Sequence, residues 1–182
     1  DSVPTPPGEQ ITVPIRIIGN QGFTNFAISL EYDPEKLELI SINTTDDQSP
    51  YLCGAMVSTN INWKNAEGKT CGYIVSASEN AVSGDGILFT VTFRVSQDFE
   101  DYTTVSPVVH YVRNNASVFS IFEEITASVT SGTITAIVMG DVTGDGMVEY
   151  DDVMKVYKAS LGEVNLTEEE KLLADINGDQ II

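Results

Sequence analysis

The chain has 182 residues, 27 of them acidic against 9 basic, for a formal net charge of −18. That excess argues against nucleic acid as a partner, because phosphate binding runs on Lys and Arg, and it suits cation binding. The 42% hydrophobic content is that of a packed protein, and no apolar run approaches the roughly 18 residues a membrane-crossing helix needs.

The opening "DSVPTPPGEQ" carries no secretion-signal pattern and reads as a mature or trimmed N-terminus. From residue 10 to about 137 the hydrophobic period is two. "QITVPIRII" sends Ile11, Val13, Ile15 and Ile17 to one side. "NFAISLEY" sends Phe26, Ile28, Leu30 and Tyr32 one way and Asn25, Ala27, Ser29 and Glu31 the other, while "ILFTVTFRV" sets Ile87, Phe89, Val91, Phe93 and Val95 against Leu88, Thr90, Thr92 and Arg94. Such alternation predicts strands with one face in a core. Further strands are expected at "LELISI", "GYIVSAS", "SPVVHYV", "ASVFSIF" and "TASVTSGTITAI", separated by the turn signals "GNQG", "YDPEK", "NAEGK" and "SGDG". Many short strands without a helical period predict an antiparallel β-sandwich of the jelly-roll or immunoglobulin kind. Cys53 and Cys71 lie in this half. In an exported protein they would pair and restrict the unfolded chain; two separate thiols fit the spacing equally well. His110, in a strand-like run, reads as structural rather than catalytic.

After Ile137 the texture changes, which puts a domain boundary between residues 138 and 139. "YDDVMKVYKASLG" spaces Tyr150, Val153, Met154, Tyr157 and Leu161 as one helical stripe, and Gly162 is placed to end it. "NLTEEEKLLADI" starts a second helix with Thr167 as N-cap and three glutamates in its first turn.

Between the halves lies "GDVTGDGMVEYDD". Numbered from Asp141, oxygen donors fall at positions 1 (Asp141), 3 (Thr143), 5 (Asp145), 7 (the Met147 carbonyl), 9 (Glu149) and 12 (Asp152), with Gly146 at position 6. This is the spacing of the EF-hand calcium loop, and an all-oxygen donor set favours Ca²⁺ over zinc or copper. Thr143 stands where Asp or Asn is usual, and Asp152 where Glu is usual. A second copy begins with Asp175, Asn177 and Asp179. It has Gln180 in place of the glycine and stops before positions 9 and 12, so as given it does not complete a calcium shell.

Two loops of this kind some 34 positions apart, "GDVTGDGMVEYDDVMKVYKASLG" and "ADINGD", resemble the dockerin module of cellulosomes. The β-rich half resembles a cohesin, the dockerin's receptor. "PPGEQITVPIRIIGN" with "NFAISLEYDPEKLELISI" is similar to the family's opening strands, and "GYIVSASENAVSGDGILFTVTFRV" to its central ones. The resemblance implies a flattened jelly roll that binds a dockerin on one sheet face. It implies contacts at Asn25, Ala27, Ser29 and Glu31 on an early strand, and at Ser78, Glu79 and Asn80 on a second. On the dockerin side it implies specificity residues at Tyr150, Asp151, Tyr157 and Lys158, where Tyr150 and Tyr157 could equally serve as packing residues.

No nucleophile elbow, phosphate loop, HExxH motif or Cys/His metal cluster is present. The expectation is a non-catalytic adaptor scaffoldin, secreted into a bacterial cell-surface complex, whose cohesin receives a partner's dockerin while its calcium-dependent dockerin enters another scaffoldin's cohesin. Two rivals stand beside it. The β-half is a carbohydrate-binding module, for which Trp63 and Tyr51 form a thin aromatic platform, or it is a structural companion of the dockerin of an enzyme subunit.

Overall fold

The computed structural model describes residues 2–44, 50–52, 54–114, 123–179 and 181–182. In chain order the strands are β1 (Ser2–Thr5), β2 (Gln10–Ile17), β3 (Phe23–Glu31), β4 (Leu37–Asn43), β5 (Met56–Lys64), β6 (Thr70–Val82), β7 (Gly86–Val95), β8 (Tyr102–Asn114), β9 (Glu123–Glu124) and β10 (Gly132–Ala136). Two helices follow, α1 (Tyr150–Ser160) and α2 (Glu168–Ala174). The chain divides into two compact units, residues 1–3 with 7–135, and residues 4–6 with 136–182.

The first unit is a sandwich of two sheets. The larger runs β1-β10-β8-β3-β6-β5, with β9 beside β8; the smaller runs β2-β7-β4. Phe26, Leu30 and Ile74 of the larger sheet and Leu39, Phe89, Val91 and Phe93 of the smaller are buried. Each contributes about 1.5–3 kcal/mol relative to exposure. The layers meet closely at Gly72, where a Cβ would stand 2.8 Å from the Leu39 side chain. Asn20 joins two turns: its Nδ2 donates to the Val82 and Gly84 carbonyls at 3.0 and 3.1 Å, and its N–H donates to Asp85 Oδ1 at 3.1 Å.

The facing alternation expected for β3 is present, with Phe26, Ile28 and Leu30 in the core, but Ala27 and Ser29 on the opposite face are buried as well. Three expectations need correction. "TASVTSGTITAI" forms a strand only over Gly132–Ala136. β5 is a nine-residue strand where none was expected, because "MVSTNINWK" has too few apolar residues to show its period. On β7, Leu88 and Thr90 are buried as well as the opposite face. "ASVFSIF" and Cys53 lie outside the described residues, and Cys71 is a buried free thiol.

In the second unit α1 ends at Gly162, whose φ of +75° fits the left-handed cap. Thr167 Oγ1 accepts from Glu170 N–H at 3.2 Å, and Glu170 Oε2 accepts from Thr167 N–H at 2.8 Å, a reciprocal capping box at the start of α2. Four of the five stripe residues do not pack inward: Tyr150, Val153, Tyr157 and Leu161 are 72, 63, 56 and 55% exposed, while Met154 is half-buried. Among the described residues no helix is long and apolar enough to cross a membrane.

Candidate functional site

Two regions carry the residues singled out from the sequence, one on each unit. On the sandwich, the outward side chains of β8, β3, β6 and β5 fall into four rows. The first is Arg113, Asn25, Ala77 and Met56; the second is Tyr111, Ala27, Val75 and Ser58. The third is Val108, Ser29, Tyr73 and Asn60; the fourth is Ser106, Glu31, Cys71 and Trp63.

The β8 register shifts between Ala27 and Ile28 of its partner, and the extra residue it accommodates is His110. A bulge of this kind re-aims a side chain. His110 Nε2 lies 2.9 Å from Ser29 Oγ. Its ring stands 5.6 Å from Trp63 and 5.7 Å from Tyr73, while Trp63 and Tyr73 stack at 4.8 Å with 26° between their planes. The centre of the face is therefore an aromatic cluster roofing Ser29, with Trp63 and Tyr73 half-buried and His110 exposed.

That roof corrects two expectations. Ala27 and Ser29 do point to the outer face, but they are 0 and 1% exposed and offer no surface to a partner. Asn25 and Glu31, at the two ends of the same strand, are half-buried, and Glu31 accepts from Asn65 Nδ2 at 3.3 Å. Ser78, Glu79 and Asn80 fall where β6 bulges between Ala77 and Val82 opposite Phe23 and Asn25, so the fold brings them to Asn25's end of the face. Glu79 and Asn80 are exposed there, and Asn80 N–H donates to Ser78 Oγ at 3.3 Å. Met56, 82% exposed, closes the first row.

Charge sits at the rim. Arg113 pairs with Glu124 at 3.1 Å and lies 4.6 Å from the Tyr111 ring centre. Among the described residues neither Glu31 nor Glu79 is ion-paired. Burial, and then the Glu31 carboxylate, push the Cys71 thiol up, which keeps it protonated and inert. Sequence reasoning misses Tyr73 and Tyr111 as surface residues; it names Trp63 only as an aromatic platform with Tyr51, and His110 only as structural. The one available signal was the bulky outward set Tyr73 and Tyr111, at even spacing from Ala77 and Arg113.

On the second unit the acidic loop wraps its first carboxylate. Asp141 Oδ1 accepts from the N–H groups of Gly144 and Asp145 at 2.8 and 3.1 Å and from the Thr143 hydroxyl at 3.4 Å; its Oδ2 accepts from Gly146 N–H at 2.8 Å. Gly146 has φ +90°, the sharp turn expected at position 6. Buried Asp152 binds both ends of the loop, taking Thr143 N–H on Oδ1 and Glu149 N–H on Oδ2, each at 2.8 Å. The N–H groups of Glu149 and Thr143 hold its carboxyl below the usual range. Lys155 clasps the unit, its Nζ donating to the Val142 carbonyl at 3.0 Å and Glu170 Oε1 at 2.8 Å.

Hard oxygen donors and the turn at Gly146 fit a calcium ion. Convergence is less complete: among the described residues no three acidic, histidine or cysteine side chains stand close enough to share a metal. Asp145 turns one oxygen to Met147 N–H at 2.9 Å, and Thr143, Met147 and Glu149 are exposed. In the second copy, Asp179 N–H donates to Asp175 Oδ1 and Asn177 Oδ1, each at 3.1 Å. The candidate contact residues Tyr150, Asp151, Tyr157 and Lys158 are all exposed along α1.

Comparison with known proteins bears on the first unit. The family that matches is the cohesin domain, over residues 1–136. A cohesin in a cohesin–dockerin complex of Clostridium thermocellum is similar at 20% identity and TM-score 0.59, over 75% of this chain and 94% of that one. The seventh ScaB type I cohesin of Pseudobacteroides cellulosolvens gives 21%, 0.57, 75% and 88%. A non-cellulosomal cohesin of the archaeon Archaeoglobus fulgidus gives 18%, 0.61, 78% and 91%. No curated protein matches.

Proposed function

The chain belongs to the cohesin family, matched over residues 1–136, and we propose that the outer face of β8, β3, β6 and β5 is where a dockerin docks. Cohesins are non-catalytic interaction modules, and the chain is not an enzyme. The observation that carries the docking site is the arrangement of that face: half-exposed Tyr73, Trp63, Val75, Val108 and Tyr111 with exposed His110 at the centre, exposed Ser58 and Asn60 along the β5 edge, and charge only at the ends. A dry centre within a polar rim is the anatomy of a protein–protein interface.

The second unit supplies the other half of the proposal. Calcium is held by Asp141, Asp145, Glu149 and Asp152 with the Thr143 hydroxyl and the Met147 carbonyl, and the half-copy at Asp175, Asn177 and Asp179 adds a weaker set. The ion supplies positive charge to carboxylates that otherwise repel, coupling the order of the loop to metal. The exposed stripe of α1 with Asp151 and Lys158 then enters a cohesin on another protein. On this reading the chain is an adaptor in an extracellular assembly, with one receptor and one plug. The test is whether the full chain, in calcium, bridges a free dockerin and a separate cohesin into one ternary complex on a sizing column. Binary complexes with one and never both would reduce the proposal to a single-ended module.

A further inference from the structure

We infer that α1 carries a self-complementary face, and that its occupant is α1 of a second copy of this chain packed antiparallel to it. The inference goes beyond the docking reading and needs no other protein. One side of α1 is spoken for within its own unit: Asp152 is buried and Lys155, Val156 and Ala159 are half-buried. At about 100° per residue, Tyr150, Val153, Tyr157 and Leu161 fall within an arc of roughly 80° on the other side. All four are more than half exposed. An apolar stripe of this kind is what a helix turns to a core, and left in solvent it marks a surface that a partner covers.

Charge selects the second copy. The exposed charges of α1 are Asp151 and Lys158, and neither is ion-paired among the described residues. Seven residues separate them, so they share one flank of the stripe about 10 Å apart, the acid toward the N-terminal end and the base toward the C-terminal end. Let a second α1 be related to the first by a two-fold axis at the level of Lys155, perpendicular to the helix. Val153 then stands across from the second copy's Tyr157, Tyr150 across from its Leu161, and Asp151 across from its Lys158, each within about 1.5 Å of level. This rotation keeps the charged flanks on the same side, so the ion pair forms twice, as an isologous contact requires. The two helix dipoles also run opposite to each other. A parallel pair would align the dipoles and carry the charges to opposite flanks, where they meet nothing. Residues 136–182 hold eleven acidic against three basic residues, so two copies repel at a distance. Physiological salt screens that repulsion beyond about 8 Å, and the α1 face itself is neutral. The dimer covers the stripe that the adaptor reading gives to a cohesin, so pairing and plugging exclude each other.

The test is sedimentation equilibrium of the full chain, reduced and in calcium, up to about 1 mM, a range suited to the weak end of protein interfaces. The expected result is a monomer–dimer equilibrium that closes at two. Asp151→Lys and Lys158→Glu each set like charges across both contacts and should each weaken the dimer about ten-fold. Mixed one to one, the two variants should pair as tightly as the parent chain, because each supplies the sign the other lacks at both contacts. The double variant Asp151→Lys/Lys158→Glu should pair with itself as the parent does. Tyr157→Ser, which removes apolar surface from the stripe, should weaken the dimer by a similar factor. Helical circular dichroism confirms that α1 is intact in each variant. Monomer throughout the range, dimers indifferent to the charge variants, or a mixture no tighter than either variant alone would overturn the inference and leave the docking reading standing. Association that continues past two and is removed by Trp63→Ala would also overturn it, since that result is α1 entering the sandwich of the next copy head to tail.

Discussion

His110 Nε2 lies 2.9 Å from Ser29 Oγ, on a bulge that turns the imidazole across the central strand of the larger sheet onto Trp63 and Tyr73. This contact converts Ser29 from a surface hydroxyl into a supporting one. His110→Ala should uncover Ser29 with a stability cost of about 1 kcal/mol or less, the size of one hydrogen bond and a partial ring contact. Denaturant unfolding measures this, and a loss of several kcal/mol would show that the ring belongs to the core instead.

Ala27 tests the same geometry from below. It is fully buried between Tyr111 and Val75 on the outer face, so Ala27→Asp should unfold the sandwich rather than retune specificity. Burying a charge without a partner costs at least about 2 kcal/mol. A variant with unchanged stability and altered dockerin preference would contradict the burial of this position.

In the loop, Gly146 at φ +90° tolerates a side chain poorly. Gly146→Ala should cost about 1 kcal/mol in the second unit and weaken calcium binding by roughly ten-fold or more, read by calorimetry. An unchanged calcium affinity would remove position 6 from the proposed metal loop.

The acid dependence of the second unit has a definite sign. Glu149 and Thr143 N–H groups hold Asp152 low, and the Lys155 ammonium followed by Thr167 N–H holds Glu170 low. Carboxyls depressed in the folded state stabilise it fully above their ordinary value of about 4 and lose that contribution as pH falls through the lower folded values. In EDTA, the helical circular dichroism should therefore hold from neutrality to about pH 4 and decline below it. Lys155→Met should shift the decline to higher pH. A decline beginning near neutrality in the parent chain would contradict this.

Much of the sandwich was legible because burial on one side of a strand imposes period two, and Phe26, Ile28 and Leu30 display it plainly. The second unit's helices were legible through their caps, Thr167 and Gly162. What stayed hidden has physical reasons. β5 lies at the end of the sheet order, and its outward Ser58 and Asn60 are exposed, so its composition hides the period that defines a strand. Trp63 went unplaced with it. The bulge at His110 is a register event between strands and leaves no trace in either strand alone. The stripe on α1 has the same period whether it faces a core or solvent, and only the structure shows Tyr150 and Tyr157 exposed.

The central claim is that the sandwich receives a dockerin. Its most direct measurement is calorimetric titration of the full chain with a panel of dockerin modules, first in calcium and then in EDTA. The expected result is nanomolar-to-micromolar binding by at least one dockerin, abolished by EDTA. Flat heats across the panel from a folded protein would contradict the claim.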